Sequence, residues 1–160
     1  PQQIQVFQKL DLEPVEVNQL EYHPWSPARN HRVVEWCHAQ RIAVTAFCSV
    51  ESALGKSPGF NVFDRMSDYT TGAGTQEELV AMLEKLAFSY NKTVAQLLLR
   101  WGIQHNASVI PGTISLQHML DNLQIFDWAL SLEDMTILDA MHITWGTSSR
   151  YPHADFTEGL

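Results

Sequence analysis

The chain has 160 residues, room for one hydrophobic core, and its 45% hydrophobic content argues against long disorder. Ten Lys and Arg against eighteen Asp and Glu give a formal charge of −8, with no basic run to meet nucleic acid or an anionic membrane surface. No apolar stretch approaches the roughly 20 residues of a membrane span, no charged-then-apolar leader is visible, and Cys37 and Cys48 alone make no disulfide scaffold, so a reduced cytoplasmic setting is expected.

Ile4 to Leu10 reads as the end of a helix. Glu13 and Pro14 break it, and Val15 to Tyr22 reads as a strand. Within it, Val17 to Pro24 runs from apolar into Glu21, Tyr22 and His23 before proline stops it. Polar groups at the end of a buried strand either face a ligand or only mark the strand's arrival at the surface. Ser26-Pro27 is expected to open the next helix, Ser as cap and Pro in the first turn, with Val33, Val34, Trp36 and Cys37 turned to a core. Ile42 to Phe47 is nearly all apolar, as in a strand covered on both faces.

From Ser49 to Gly74 the periodicity is lost. Gly55, Gly59, Gly72 and Gly74 fall in this stretch, which is long enough to be a functional loop and is expected to be mobile without ligand. Thr75 with Glu78 forms a capping box for a helix carrying Leu79, Met82, Leu83 and Leu86. Thr93 to His105 is a second, more apolar helix, and Ala107 to Ile110 a short strand ending at Pro111-Gly112-Thr113. A helix from about Ser115 to Leu123 follows. Ser131 with Asp134 is expected to box a last helix through Ile137, Leu138 and Met141. This alternation of apolar strands with helices is the mark of a parallel β/α architecture. No GxGxxG or phosphate-loop pattern occurs, so a Rossmann site is unsupported.

Five segments, in order, resemble the carboxyl-terminal portion of the aldo-keto reductase family. Val17-Asn18-Gln19-Leu20-Glu21-Tyr22-His23-Pro24 resembles its sixth barrel strand, and Val44-Thr45-Ala46-Phe47-Cys48-Ser49-Val50 its seventh, usually V-T-A-Y-S-P-L. Asn91 to Trp101 (NKTVAQLLLRW) resembles the helix after the long loop, and Val109-Ile110-Pro111-Gly112-Thr113 the eighth strand and its V-I-P-K-S turn. Asn122 to Trp128 and Leu130 to Met135 resemble what comes next. The resemblance implies an α/β fold of the parallel (β/α)8 TIM barrel type with only about the last three strand–helix units present. It makes residues 1–160 a partial NADP-dependent oxidoreductase domain in which 143–160 is a carboxyl-terminal tail. Trp145, Tyr151 and Phe156 then lie where the family's tail folds over substrate.

The family reduces aldehydes and ketones with a nicotinamide cofactor, usually NADPH. Its catalytic Asp, Tyr, Lys and His lie on earlier strands, so no catalytic residue is assigned here; Tyr22 and His23 belong to a different strand. By the resemblance, Gln19 matches the glutamine that bonds the nicotinamide carboxamide, an amide offering both donor and acceptor. Phe47 stands where a Tyr commonly stacks on the nicotinamide, keeping the ring face without the hydroxyl. Cys48, Val50 and Ser52 fall on the stretch wrapping the pyrophosphate, where Glu51 replaces a usual Gly. Thr113 keeps a hydroxyl, and Asp121 and Asn122 match the Glu-Asn pair near the adenine. Gly112 replaces the usual Lys, however, and His118 the Arg that holds the 2′-phosphate. Two charge-assisted bonds worth ~1.5–3 kcal/mol each are thereby lost, so either NADP or NAD is expected with little preference.

The seven histidines show no metal-ligand spacing, and no metal site is expected. Glu21 and His23 read as strand-end polar groups rather than ligands. Two functions remain open: an NAD(P)H-dependent reductase of small carbonyl compounds when part of a complete barrel, or a non-catalytic nucleotide-binding or assembly module derived from that fold. A sheet of three strands would also leave edges that invite self-association.

Overall fold

The computed structural model of the chain describes residues 1–10, 12–50 and 75–144. Its centre is a sheet of three parallel strands in the order β1-β2-β3: β1 (Val17–Glu21), β2 (Ala43–Phe47) and β3 (Ala107–Val109). Helix α1 (Gln2–Lys9) precedes the sheet and α2 (Ala28–Ala39) links β1 to β2. Helices α3 (Gln76–Ser89) and α4 (Val94–Gln104) lie between β2 and β3, and α5 (Leu116–Leu123), α6 (Leu132–Asp139) and the short α7 (Met141–Thr144) follow. The long loop falls largely on residues 51–74, outside the described residues, as does the tail from 145 on.

Register divides the sheet into two unlike faces. Side chains alternate along a strand, so Val44 and Ala46 point opposite to Ala43, Thr45 and Phe47. Val44 pairs with Ala107 and Ala46 with Val109, and Val44, Ala46 and Ala107 are buried in one core with Val34, Cys37, Leu97, Leu98 and Trp101 from α2 and α4. Even the polar member of this face is used: Asn18 donates from Nδ2 to Cys37 Sγ at 3.4 Å. The other face is open, with Val17, Gln19, Ala43 and Ser108 exposed.

Local chemistry explains most boundaries. Thr75 accepts from the Glu78 N–H while the Glu78 carboxylate accepts from the Thr75 N–H, and Thr93 and Gln96 repeat the arrangement at α4. Gly102 belongs to the close approach of α4 to β3. A Cβ there would lie 2.8 Å from Val109 Cγ1, nearer than packed carbons come.

Four expectations are corrected. Ser26 does not cap α2; Pro27 holds the N-cap position without a side-chain bond. The Ser26 hydroxyl instead accepts from the His23 N–H at 2.8 Å and the Ser26 N–H donates to the His23 carbonyl at 2.9 Å, so it closes the turn before the helix. The Ser131–Asp134 box is only half formed. Ser131 Oγ accepts from the Asp134 N–H, but the Ser131 N–H donates to the Tyr90 hydroxyl, which itself donates to Asp134 Oδ2. The last helix is broken at Ala140, and α7 restarts with a tighter turn closed by the Ile143 N–H on the Ala140 carbonyl. The first strand is also shorter than Val15–Tyr22, although Glu16 and Tyr22 still bond across to β2 through their backbones.

Candidate functional site

Parallel register places Gln19 beside Thr45 and Thr45 beside Ser108, so one polar row crosses all three strands on the open face. One step toward the carboxyl ends, Glu21 pairs with Phe47. The Gln19 amide is exposed and makes no hydrogen bond among the described residues, leaving donor and acceptor both available. Phe47 and Cys48 are half-buried where β2 ends. Cys48 has φ 56°, a left-handed conformation that a non-glycine residue adopts at some cost, and it turns the chain sharply out of the sheet. Ser49 steadies the turn by donating to the Ala46 carbonyl at 3.1 Å, and Val50 follows half-buried. Glu51 and Ser52 lie outside the described residues.

The second group lies past β3. Thr113 Oγ1 accepts from the Ser115 N–H at 3.1 Å, and Ser115 caps α5 through the His118 N–H. Thr113 and Asn122 line a cavity of about 600 Å³ whose walls include Val109, Pro111, Met119 and Phe126. Asp121 is occupied in the helix layer: its carboxylate accepts from Gln117 at 2.9 Å and its carbonyl from Gln96 at 2.9 Å. Gly112 and His118 are exposed, and nothing lies within 4 Å of the place a Gly112 Cβ would take. Of the expected contacts, then, Thr113 and Asn122 share a cavity. Gln19, Phe47, Cys48 and Val50 gather at the ends of β1 and β2, while Asp121 is engaged with its own neighbours.

Two features escaped the reading of the sequence in their detail. Glu21 and His23 form a buried pair, 4% and 0% exposed, with Glu21 Oε1 3.2 Å from His23 Nε2. His23 Nδ1 has no partner among the described residues. The other is a cluster of His31, His105 and His142 around Tyr22 on the helix side of the sheet. His31 stands one turn before Val34 and two before Cys37 or His38, on the apolar stripe of α2, and that spacing was a signal. Tyr22 is raised above its ordinary 10.0 by burial, with the Asp139 and Glu35 carboxylates adding to it. Among the described residues no group of three His, Cys, Asp or Glu could hold a metal ion, and no helix is long and apolar enough to cross a membrane.

A parallel sheet with helices on one face and a polar row on the other defines a segment of (β/α)8 barrel wall. Residues 1–143 match the Aldo/keto reductase family, and the chain belongs to it. Aldo-keto reductase family 1 member A1 of Mus musculus is 34% identical over 129 residues, 81% of this chain and 35% of that protein. Glyoxal reductase of Bacillus subtilis is 30% identical over 138 residues, 86% of this chain and 41% of that protein. Among solved structures, a Bombyx mori aldo-keto reductase in complex with NADP superposes with a TM-score of 0.68 at 25% identity, covering 86% of this chain and 40% of that one. An aldo-keto reductase from a deep-sea metagenome library, 22% identical, shares the fold with a TM-score of 0.67, covering 93% and 46%. The chain thus spans between a third and a half of the length of these relatives.

Proposed function

We propose that this chain is the carboxyl-terminal wall of an NAD(P)H-dependent aldo-keto reductase, 1–142 forming barrel and 143–160 the tail, acting on small aldehydes or ketones once the barrel is complete. The observation that carries this is the polar row Gln19, Thr45 and Ser108 on the uncovered face of the sheet, with the exposed, unbonded Gln19 amide in it.

The nicotinamide nucleotide, when bound, supplies the hydride. The nicotinamide end fits the residues present. Gln19 offers an amide to the carboxamide, and Phe47, on the same face one pair further along, offers a ring for stacking. Cys48, Val50 and Ser52 hold the pyrophosphate stretch, and the cavity beside Thr113 and Asn122, with Asp121 behind it, takes the adenosine end. The 2′-phosphate end fits less well. Gly112 brings no charge, and a neutral His118 is a poor partner for a dianion at pH 7, so NADH and NADPH bind with similar affinity. None of these residues protonates the carbonyl oxygen; that acid and the groups tuning it belong to strands outside this chain. The chain's own part is to orient the nicotinamide and to keep water from one side of it.

Gly112 and His118 also favour a second reading, a nucleotide-binding or assembly module without turnover. One experiment separates the two. In the full-length polypeptide, Gln19→Ala should weaken NADH binding about tenfold and lower the rate of aldehyde reduction. Residues 1–160 alone should give no aldehyde-dependent NAD(P)H oxidation, since a positioned acid contributes ~10²–10⁴ in rate, and should self-associate through the sheet edges. Cofactor binding without turnover in the full-length polypeptide supports the second reading. Unchanged affinity in Gln19→Ala removes the basis of both.

A further inference from the structure

Behind the sheet, on the side away from Gln19, five elements converge on one aromatic cluster. The Tyr22 ring packs 4.7 Å from Trp101 of α4, 5.2 Å from His31 of α2 and 5.8 Å from His105 at the carboxyl cap of α4, between ring centroids. His31 also lies 5.0 Å from His142 of α7, their planes tilted by 31°. Asp139 of α6 fixes the lower edge: its Oδ1 accepts from Trp101 Nε1 at 2.8 Å and from His105 Nε2 at 2.7 Å. His31 Nε2 and His142 Nδ1 are buried without a hydrogen-bond partner among the described residues.

We propose that this cluster is an acid-released latch: neutral His31 and His142 hold α7 against α2, and protonation of His31 frees the α7 turn. The inference is independent of the cofactor reading.

The geometry says why the neutral form is the closed one. Two tilted imidazoles in contact tolerate each other while uncharged, but a proton on either leaves a cation against the other's ring with no anion of its own. His31 faces Tyr22 and His23 from the end of β1, His105 from α4, Asp139 from α6 and His142 from α7, with Glu35 and His38 on its own helix. Asp139 is the one carboxylate among those acting on His31, and it is committed to His105 and Trp101. Burial, then the neighbouring His142 and His105, lower His31 from 6.5 to about 4, against the opposing pull of Asp139. An open α7 takes away His142 and part of the burial, and so moves His31 back toward its ordinary value. The folded value lies below the unfolded one, so the closed state is fully favoured above about pH 6.5 and loses ground as pH falls toward 4. Full expression of that difference would shift the opening equilibrium tenfold per pH unit; with His31 partly accessible to solvent, roughly tenfold in all is expected between pH 7 and 5. α7 is a small unit to release. It has four residues, anchored by the buried Met141, and from it the chain continues to residue 145.

Hydrogen exchange by mass spectrometry on the full-length polypeptide tests this. Protection of residues 140–144, corrected for intrinsic exchange, should fall roughly tenfold from pH 7 to 5, while residues 97–103 of α4 stay unchanged. His31→Phe keeps an aromatic ring in the cluster and should flatten that profile. If it misfolds, His31→Gln, which likewise carries no titrating ring, serves the same purpose. A flat wild-type profile overturns the proposal, and so does an undiminished pH dependence in whichever variant folds.

Discussion

Restoring cations around the Thr113 turn should convert the nucleotide preference, and the structure sets the size of the effect. Gly112 is exposed, with no atom within 4 Å of the position its Cβ would take, so a lysine enters there without displacing a neighbour. His118 is exposed in the first turn of α5, where an arginine replaces it without loss of packing. A charge-assisted bond to phosphate is worth ~1.5–3 kcal/mol. Ordering each long side chain costs ~0.5–1.5 kcal/mol, and exposure to solvent and salt holds the gain near the lower limit. About 1–1.5 kcal/mol per site remains, or 2–3 kcal/mol for Gly112→Lys with His118→Arg, which is roughly 30–150-fold in affinity. Fluorescence titration of the full-length polypeptide with NADPH should show that gain, with NADH changing less than about threefold and the NADPH gain shrinking at high salt. Equal gains for both nucleotides would mean that the cations meet the pyrophosphate instead. No gain at all would mean that the turn after β3 does not face the adenosine 2′ position, and the assignment of Thr113 and Asn122 would fall with it.

Other expected outcomes concern stability. Gly102→Ala gains about 1 kcal/mol in helix propensity but drives a methyl to 2.8 Å from Val109 Cγ1, an overpacking cost of ~1–3 kcal/mol. Urea unfolding should show a net loss of about 1 kcal/mol in the wild-type background and a neutral or stabilising effect in Val109→Ala; stabilisation in both would show that the contact relaxes freely. Tyr90→Phe removes the hydroxyl that links Ser131 and Asp134 and should cost about 1 kcal/mol, read as a lowered thermal midpoint; an unchanged midpoint would mean that water replaces the hydroxyl fully. Burial works to raise the Asp139 carboxyl, but the bonds from His105 and Trp101 outweigh it and hold the carboxyl below its ordinary 3.8. Its contribution is therefore present above that value and lost as pH falls through the depressed one. Asp139→Asn should cost about 1 kcal/mol at neutral pH, discounted because the carboxylate is 44% exposed, and the gap to wild type should close in acid denaturation series. A gap that persists at pH 2 would assign the loss to shape rather than charge.

What the sequence disclosed, it disclosed through patterns that the chain itself satisfies. Thr75 with Glu78 is legible because both partners of the box lie within one turn. The strands show as apolar runs, and Cys37 as core, because α2 and α4 cover that face of the sheet. Ser26 is ambiguous in the sequence for a related reason. A serine before a proline can cap the following helix or close the preceding turn, and only the position of the His23 N–H decides between them. Ser131 shows the same limit, since Tyr90 reaches it from 41 residues away. The histidine cluster joins α2, α4 and α7 through ring contacts that leave no local periodicity beyond the place of His31 on its stripe.

The candidate site is harder to read because it lies on the face this chain does not cover. Gln19, Ala43 and Ser108 are small or polar and exposed, a pattern that by itself describes the solvent side of any sheet. The flanks argue otherwise. Leu10 and Leu12 are exposed in the segment leading into β1, and Ile110, Ile114, Leu116, Leu123 and Phe126 are exposed beyond β3. Solvent-facing edges are normally blunted by charge or proline rather than lined with large apolar side chains. Apolar flanks on both sides of an uncovered polar row are what a wall requires when the sheet continues in both directions, as it does in the (β/α)8 neighbours. On the function proposed above, the row from Gln19 to Ser108 would face a barrel interior, where its amide and hydroxyls would meet a ligand rather than bulk water.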